Sequence, residues 1–299
     1  MDATDRSSLP RRPPTADERQ QLPLDVRDLP ALDLSAGDIL DHGLREIGLE
    51  LSEAQREAIE AHVRLLLAWN AHINLSGLRS ADEVARGHVL DALLAVLPIR
   101  ALTRTARDGS AGVTLLDLGS GGGYPGLPLA IALPARRAAL VDSIAKKAAF
   151  LEAAAGVVTD TLRGAPADPP DIVALAERAE DLADEPDHRA AWDLVVARAV
   201  GTIAEVAELG LPLAHRGGHV VAWKRAAGAA DDPNALEREI GQARRIIQAA
   251  GGAGVRIIVL EAAERIGLPG NCLVVIRKVR PTPDRYPRSP GERRRGTLP

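Results

Sequence analysis

Between Leu115 and Gly126 the chain reads LLDLGSGGGYPG: an apolar strand, an acid two residues before the first glycine, then five glycines within eight positions. Glycine has no Cβ, so such a turn can take positive φ and bring main-chain N–H groups against a bound group. The dinucleotide fingerprint wants G-x-G-x-x-G directly ahead of a helix. Gly119, Gly121, Gly122, Gly123 and Gly126 fit that spacing poorly, and no Gly-Lys-Ser/Thr follows to make a Walker loop. Asp117 separates the remaining candidates: a carboxylate at a strand end disfavours a pyrophosphate and suits a ligand carrying an ammonium and a sulfonium, such as S-adenosylmethionine (SAM). A glycine-rich turn without a ligand is the alternative.

The next apolar run, Ala138 to Val141, ends in Asp142. An acid about twenty residues past the glycines can accept hydrogen bonds from both ribose hydroxyls, although on spacing alone it could instead cap the following helix. Lys146 and Lys147 open that helix and read as a solvated face. Arg198 lies at the mouth of a later strand, where a planar guanidinium could orient a target base or its phosphate; a structural ion pair is the competing role. His88 and Asp91 lie three apart on one helix face, and with His72 they could suggest a metal site. Histidines on such a helix more often serve as hydrogen-bonded structural groups, and no metal is expected.

These residues need a frame. Residues 1–35 are rich in proline and mixed charge without a sustained apolar period, which predicts a disordered extension. A helical cap over 36–100 follows, with helices at 36–48, 52–69 (Ser52/Gln55 capping box, apolar face Ile59, Val63, Leu66 and Leu67) and 81–97 (Ser80/Glu83). Over 101–280 strand and helix patterns alternate, with strands at 113–118, 138–142, 171–176, 193–197 and 218–223, and one helix capped by Thr202/Glu205. The loop at 161–170 is a surface connection. Segments 255–260 and 271–279 are both strand-like with no helix between them, which implies an antiparallel closing strand. The expected class is α/β: a class I SAM-dependent methyltransferase, Rossmann-like, with a mostly parallel seven-stranded sheet.

Composition bounds what else the chain can be. With 299 residues, 46% of them hydrophobic and only 2% aromatic, the core must be built from Leu, Val, Ile and Ala. The single cysteine, Cys272, excludes an intrachain disulfide and any cysteine-rich zinc site, as expected of a cytoplasmic protein. No run approaches the ~18 apolar residues of a membrane span, and the first residues lack a signal-peptide core. A net charge of −4 argues against a uniformly basic nucleic-acid binder, yet the stretch from 277 onward holds eight Arg or Lys against Asp284 and Glu292. Its proline-rich part, 281–299, is a candidate phosphate-contacting arm or else a disordered solubilising tail.

The motifs together resemble one family. WNAHINLSGLRS from Trp69, HVLDAL from His88, DLGSGGGYPGLPLAI from Asp117, LVDSIAKKAAFL from Leu140, ERAED from Glu177, DLVVARAV from Asp193 and NCLVVIRK from Asn271 are similar, in order and spacing, to the RsmG (GidB) family of bacterial small-subunit rRNA methyltransferases. The resemblance runs from about 40 to 290. It implies methylation of guanine N7 in the decoding-region loop of 16S rRNA, with SAM as donor and with the rRNA or small ribosomal subunit as partner to a monomer. It places cofactor contacts on Gly119, Tyr124, Ala179, Glu180 and Arg198, with Asp142 matching the acid after the second strand; the glycine loop itself adds Gly121 as a contact, and Arg198 is expected to orient the reaction. The family's Arg-His-x-Leu-Asp motif has Gly87 where its arginine belongs, and Arg225 follows Lys224 where a glycine is usual. N7 carries an in-plane lone pair and no proton, so attack on a sulfonium methyl needs no general base. A small-molecule or protein methyltransferase, distinguished by turnover without RNA, and an NAD(P)-dependent or nucleotide-binding protein are the competing classes.

Overall fold

The structure, a computed structural model, describes residues 22–103, 112–163, 168–226, 232 and 234–295. It opens with α1 (Leu34–Ile47), α2 (Glu53–Asn70) and α3 (Ala81–Val84), a π-helical turn over Ala85–Leu90, then α4 (Asp91–Leu93) and α5 (Val96–Thr103). The sheet-forming elements follow as β1 (Val113–Leu118), α6 (Gly126–Ala132), β2 (Ala135–Val141), α7 (Ala145–Leu162), β3 (Asp171–Leu175), α8 (Ala179–Leu182) and β4 (Trp192–Arg198). After them come α9 (Ile203–Gly210), β5 (Ala214–Arg225), α10 (Ala235–Ala249), β6 (Gly252–Val259), α11 (Ala262–Arg265), β7 (Asn271–Lys278) and α12 (Pro290–Arg295).

Among the described residues the seven strands form one sheet in the order β3-β2-β1-β4-β5-β7-β6. β1 to β5 run parallel, and β7 runs antiparallel to both β5 and β6. This is the expected methyltransferase sheet with its reversed strand. Chain order turns back between β1 and β4, and a sheet of this kind opens its crevice at such a reversal, beyond the carboxyl ends of the strands. The register pairs Leu118 with Ala197, so Gly119 and Arg198, one residue further on each strand, emerge side by side.

Strand periodicity divides the core. Leu115, Leu140, Leu194 and Val221 point to the face packed by α2, α6 and α7, while Leu116, Val141, Val195 and Val220 point to the face packed by α9 and α10. The cap helices therefore complete the first core rather than forming one of their own. All three expected capping boxes are present, at Ser52/Gln55, Ser80/Glu83 and Thr202/Glu205.

Three expectations need correction. The extension expected to be disordered through residue 35 is docked from Leu22: Leu22 is buried, Trp69 Nε1 donates to Pro23 O at 2.7 Å, and Arg64 donates to Val26 O, Leu29 O and Pro30 O. Side-chain donors on α2 satisfy these carbonyls, a cause that local composition does not register; residues 1–21 lie outside the described residues. The helix expected over 81–97 is interrupted by the π-helical turn. The tail from 281 is packed against the domain through a buried Tyr286 and two arginine–glutamate pairs, Arg288–Glu208 and Arg293–Glu180. Of the 161–170 loop, residues 164–167 lie outside the described residues.

Candidate active site

The glycine loop is braced from beneath. Asp117 is fully buried; its Oδ2 accepts from Ser120 Oγ at 2.6 Å and from Gly126 N at 2.8 Å, while Oδ1 has no hydrogen-bond partner. Burial pushes its carboxyl up to about 7, against the weaker pull of those two donors. The acid expected to face a cationic ligand thus supports the loop that would face it. A Cβ on Gly126 would lie 2.6 Å from Asp117 Oδ2, so glycine is required there for close approach. Gly121 differs: its φ is +58°, and an added Cβ would meet only Gly119 O, at 3.8 Å. That glycine has open space where a Cβ would lie.

Asp142 ties this loop to the next strand. Its Oδ2 accepts from Gly121 N at 3.1 Å and its Oδ1 from Ile144 N at 2.9 Å, which leaves each oxygen a further lone pair. The N-cap of α7 is Ile144, so Asp142 is not the capping residue. Lys147 Nζ stands 3.6 Å from Asp142 Oδ2; the expectation of a solvated face fails for this lysine. Ala179 and Glu180 begin α8 just beyond β3, whose end is joined to Asp142 by a 3.1 Å hydrogen bond from Asp142 N to Leu175 O.

On the other side of the loop, Tyr124 is buried in a column of rings. His62 stacks on it at 4.6 Å between centroids, His88 lies at 4.7 Å, and the Arg198 guanidinium carbon sits 5.7 Å from the ring centre. Arg198 Nη1 donates to Asp91 Oδ2 at 2.8 Å and Gly87 O at 3.1 Å, and Nη2 donates to His88 Nδ1 at 2.8 Å. An acceptor Nδ1 makes His88 a neutral ring protonated on Nε2, which reaches Ser76 Oγ at 2.7 Å. Burial, then the Arg198 charge, lowers its pKa to about 3. His62 is neutral for the same first reason, at about 4, with Nε2 donating to Gly122 O. The Tyr124 hydroxyl is buried without a partner, and burial raises its pKa.

His88 and Asp91 therefore converge on a guanidinium, and His72 stays exposed apart from them. Among the described residues no three His, Cys, Asp or Glu gather where they could hold a metal ion. Asp91 is further held by Asn271 Nδ2 at 2.7 Å on Oδ1 and by Trp223 Nε1 at 3.1 Å on its carbonyl. His62, Ser76, Trp223 and Asn271 escaped the sequence reading. Ser76 and Asn271 lie inside the family motifs without a role read for them, and a histidine at 62, on the same helical stripe as Ile59, Val63 and Leu66, was a further signal. Lys224 Nζ donates to Glu239 Oε1 at 2.7 Å and Gly201 O at 3.0 Å, which fastens the loop after β4 to α10.

The chain's relatives have a consistent character. Ribosomal RNA small subunit methyltransferase G of Roseiflexus sp. (strain RS-1) is 37% identical over 254 residues, spanning 85% of this chain and 96% of that protein. The protein of that name from Pelotomaculum thermopropionicum is 36% identical over 258 residues, 85% of this chain and 95% of its own. Among solved structures, the O-methyltransferase TomG from Streptomyces achromogenes, crystallised with SAM, is 19% identical, with a TM-score of 0.40 over 78% of this chain and 92% of that one. A family model described as rRNA small subunit methyltransferase G (GidB) matches residues 55–248. Since that match takes in more than half of the chain, and the relatives align over most of it, the chain belongs to the rRNA small subunit methyltransferase G family.

Proposed function

We propose that the chain transfers a methyl group from SAM to N7 of a guanine in the decoding-region loop of 16S rRNA, acting as a cytoplasmic monomer on rRNA or the small subunit. The observation that carries this is the glycine loop itself, where a Cβ on Gly121 would meet nothing nearer than Gly119 O at 3.8 Å, Asp142 accepts from Gly121 N, and Arg198 emerges beside Gly119. Family membership supports the reaction class, and the motif resemblance supports the atom and the nucleotide. We retain residues 36–100 as cap and 101–280 as the SAM-binding unit.

When bound, SAM supplies an electrophilic methyl on a sulfonium. Main chain at Gly119 and Gly121 would lie along it, the free lone pairs of Asp142 would accept from the ribose hydroxyls, and Ala179 and Glu180 would border the adenine. Tyr124, His62 and His88 exclude water from the wall nearest Arg198. Arg198 is already paired with Asp91, so its guanidinium is held in one orientation and its flat face is the surface left for a base. No proton leaves N7 on attack, which agrees with a site whose histidines are neutral and whose Asp91 is engaged by an arginine. Rate then comes from orientation and desolvation.

The test is direct. Methylation at N7 leaves guanine open to reduction and aniline cleavage, so treated rRNA should be cut at one position in the decoding region. Arg198→Ala should lower this cutting by roughly 10²-fold or more while SAM-free folding persists. EDTA should leave the activity intact. Methyl transfer to another atom, or turnover without RNA, would overturn the assignment.

A further inference from the structure

The antiparallel β7 delivers the chain to the amino-terminal edge of the parallel strands, and the residues after it climb back toward the crevice. At the bottom, the buried Lys278 donates through Nζ to Leu211 O at 2.5 Å and Ala250 O at 3.2 Å, and Thr282 Oγ1 donates to Ala250 O at 2.6 Å. Midway, Arg189 donates to Tyr286 O at 3.2 Å, and the Tyr286 ring is 1% exposed. Higher up, Arg288 grips Glu208 of α9 through N, Nε and Nη2, at 3.0, 2.7 and 2.7 Å. Last, Arg293 on α12 donates Nη1 to Arg288 O at 2.9 Å and Nη2 to Glu180 Oε1.

The first three ties already fasten the segment, so the fourth is not needed to hold it down. Its partner sits on a short helix anchored at its far end by the buried Leu182, which leaves Glu180 at the near end to be held by Arg293. Glu180 belongs to α8, four residues long, and a helix of one turn does not sustain itself. The Arg293 and Glu180 side chains are 17% and 14% exposed, so their contact is largely shielded from solvent screening. Arg294 and Arg295, on the same helix, are exposed.

We infer that Arg293 is a positioning residue for the methyl donor: it holds the Ala179–Glu180 turn in the shape that borders the adenine, and the carboxyl-terminal segment is thereby part of the cofactor site. This rests on the SAM assignment made above. It also narrows the role expected of the tail, because Arg288 is engaged by Glu208, Arg293 serves the cofactor, and the exposed Arg294 and Arg295 are the ones placed for phosphate.

Calorimetry of the full chain with SAM, without RNA, tests it. Arg293→Ala should weaken SAM binding ~10-fold and raise KM for SAM by the same factor, with kcat at saturating SAM and KM for RNA unchanged. Arg293→Lys should recover part of the loss, and Arg294→Ala should leave SAM affinity alone. Circular dichroism monitors folding, and faster amide exchange at 179–182 in Arg293→Gln provides a second readout. Wild-type SAM affinity in a folded Arg293→Ala protein would refute the inference, as would a rise confined to KM for RNA. Absence of SAM binding by the unaltered protein would instead sink the SAM assignment itself.

Discussion

Two buried aspartates on neighbouring strands are treated in opposite ways. Asp193, near the start of β4, accepts from Thr114 N at 2.8 Å, from Thr114 Oγ1 at 2.9 Å and from His215 Nε2 at 2.7 Å, with Arg136 Nη2 at 4.0 Å. Burial pushes its pKa up, but the His215 and Thr114 hydrogen bonds outweigh it and hold the group at about 2. Asp117, at the far end of β1, has two donors on one oxygen and none on the other, and burial lifts it to about 7. At the lower edge of the sheet Asp193 is thus a fully satisfied acid that secures the fold, although Trp192 Nε1 and Arg137 Nε at the same end are buried without a partner. The upper edge leaves groups unsatisfied in order to shape a loop.

The sharpest way to break this contrast is Asp193→Ala. Loss of the carboxylate strands the Thr114 and His215 donors in a nearly closed site, which should cost ~3–5 kcal/mol of stability. SAM affinity of the folded protein should not change, and a denaturant titration beside calorimetry reads both. Equal loss of stability and cofactor affinity would show the two edges to be one cooperative unit.

The pH dependence of unfolding sharpens it next. Asp193 has a depressed folded pKa, so its contribution is present above its unfolded value near 4 and is lost as pH falls through about 2. Asp117 has the opposite sign: its contribution is full below about 4 and is lost as pH rises to about 7. Asp117→Asn, whose amide oxygen can still accept from Ser120 and Gly126, should remove a slope worth on the order of a few kcal/mol between pH 4 and 7. A slope unchanged in that variant would mean Asp117 stays ionised throughout.

The smallest effect concerns Ala199, which follows Arg198 with φ of 59°. A non-glycine residue there costs ~1 kcal/mol, so Ala199→Gly should raise stability by about that much in thermal unfolding. Any loss of methylation in that variant would show that stiffness of the turn matters to Arg198.

The parts legible in the sequence are those set by local pattern. Glycine density, strand-end acids, capping boxes and the strand–helix alternation each depend on neighbours in the chain, and all reappear in the fold. Side chains that meet across long separations are not legible in that way. The helix signal over 81–97 gives no hint that the turn at Gly87 widens to face a strand more than a hundred residues later, or that Asp91 will meet Asn271. The docked strap at 22–33 was hidden because proline-rich composition carries no information about which donors lie opposite. Arg293 and Glu180 were each noticed, one as a tail charge and one as a cofactor contact, but nothing local joins them.

The ring column around Tyr124 has a further consequence for the reaction. Methylation of a neutral purine by a sulfonium neither creates nor destroys charge: one positive charge passes from sulfur to the base and is spread over a larger group on the way. A process of that kind is hindered by solvent that grips the compact starting cation and is helped by surroundings of low polarity. The wall formed by His62 and His88, both held neutral, and by a tyrosine whose hydroxyl meets no partner provides such surroundings. The histidines nearest the crevice would then contribute most by never becoming ions.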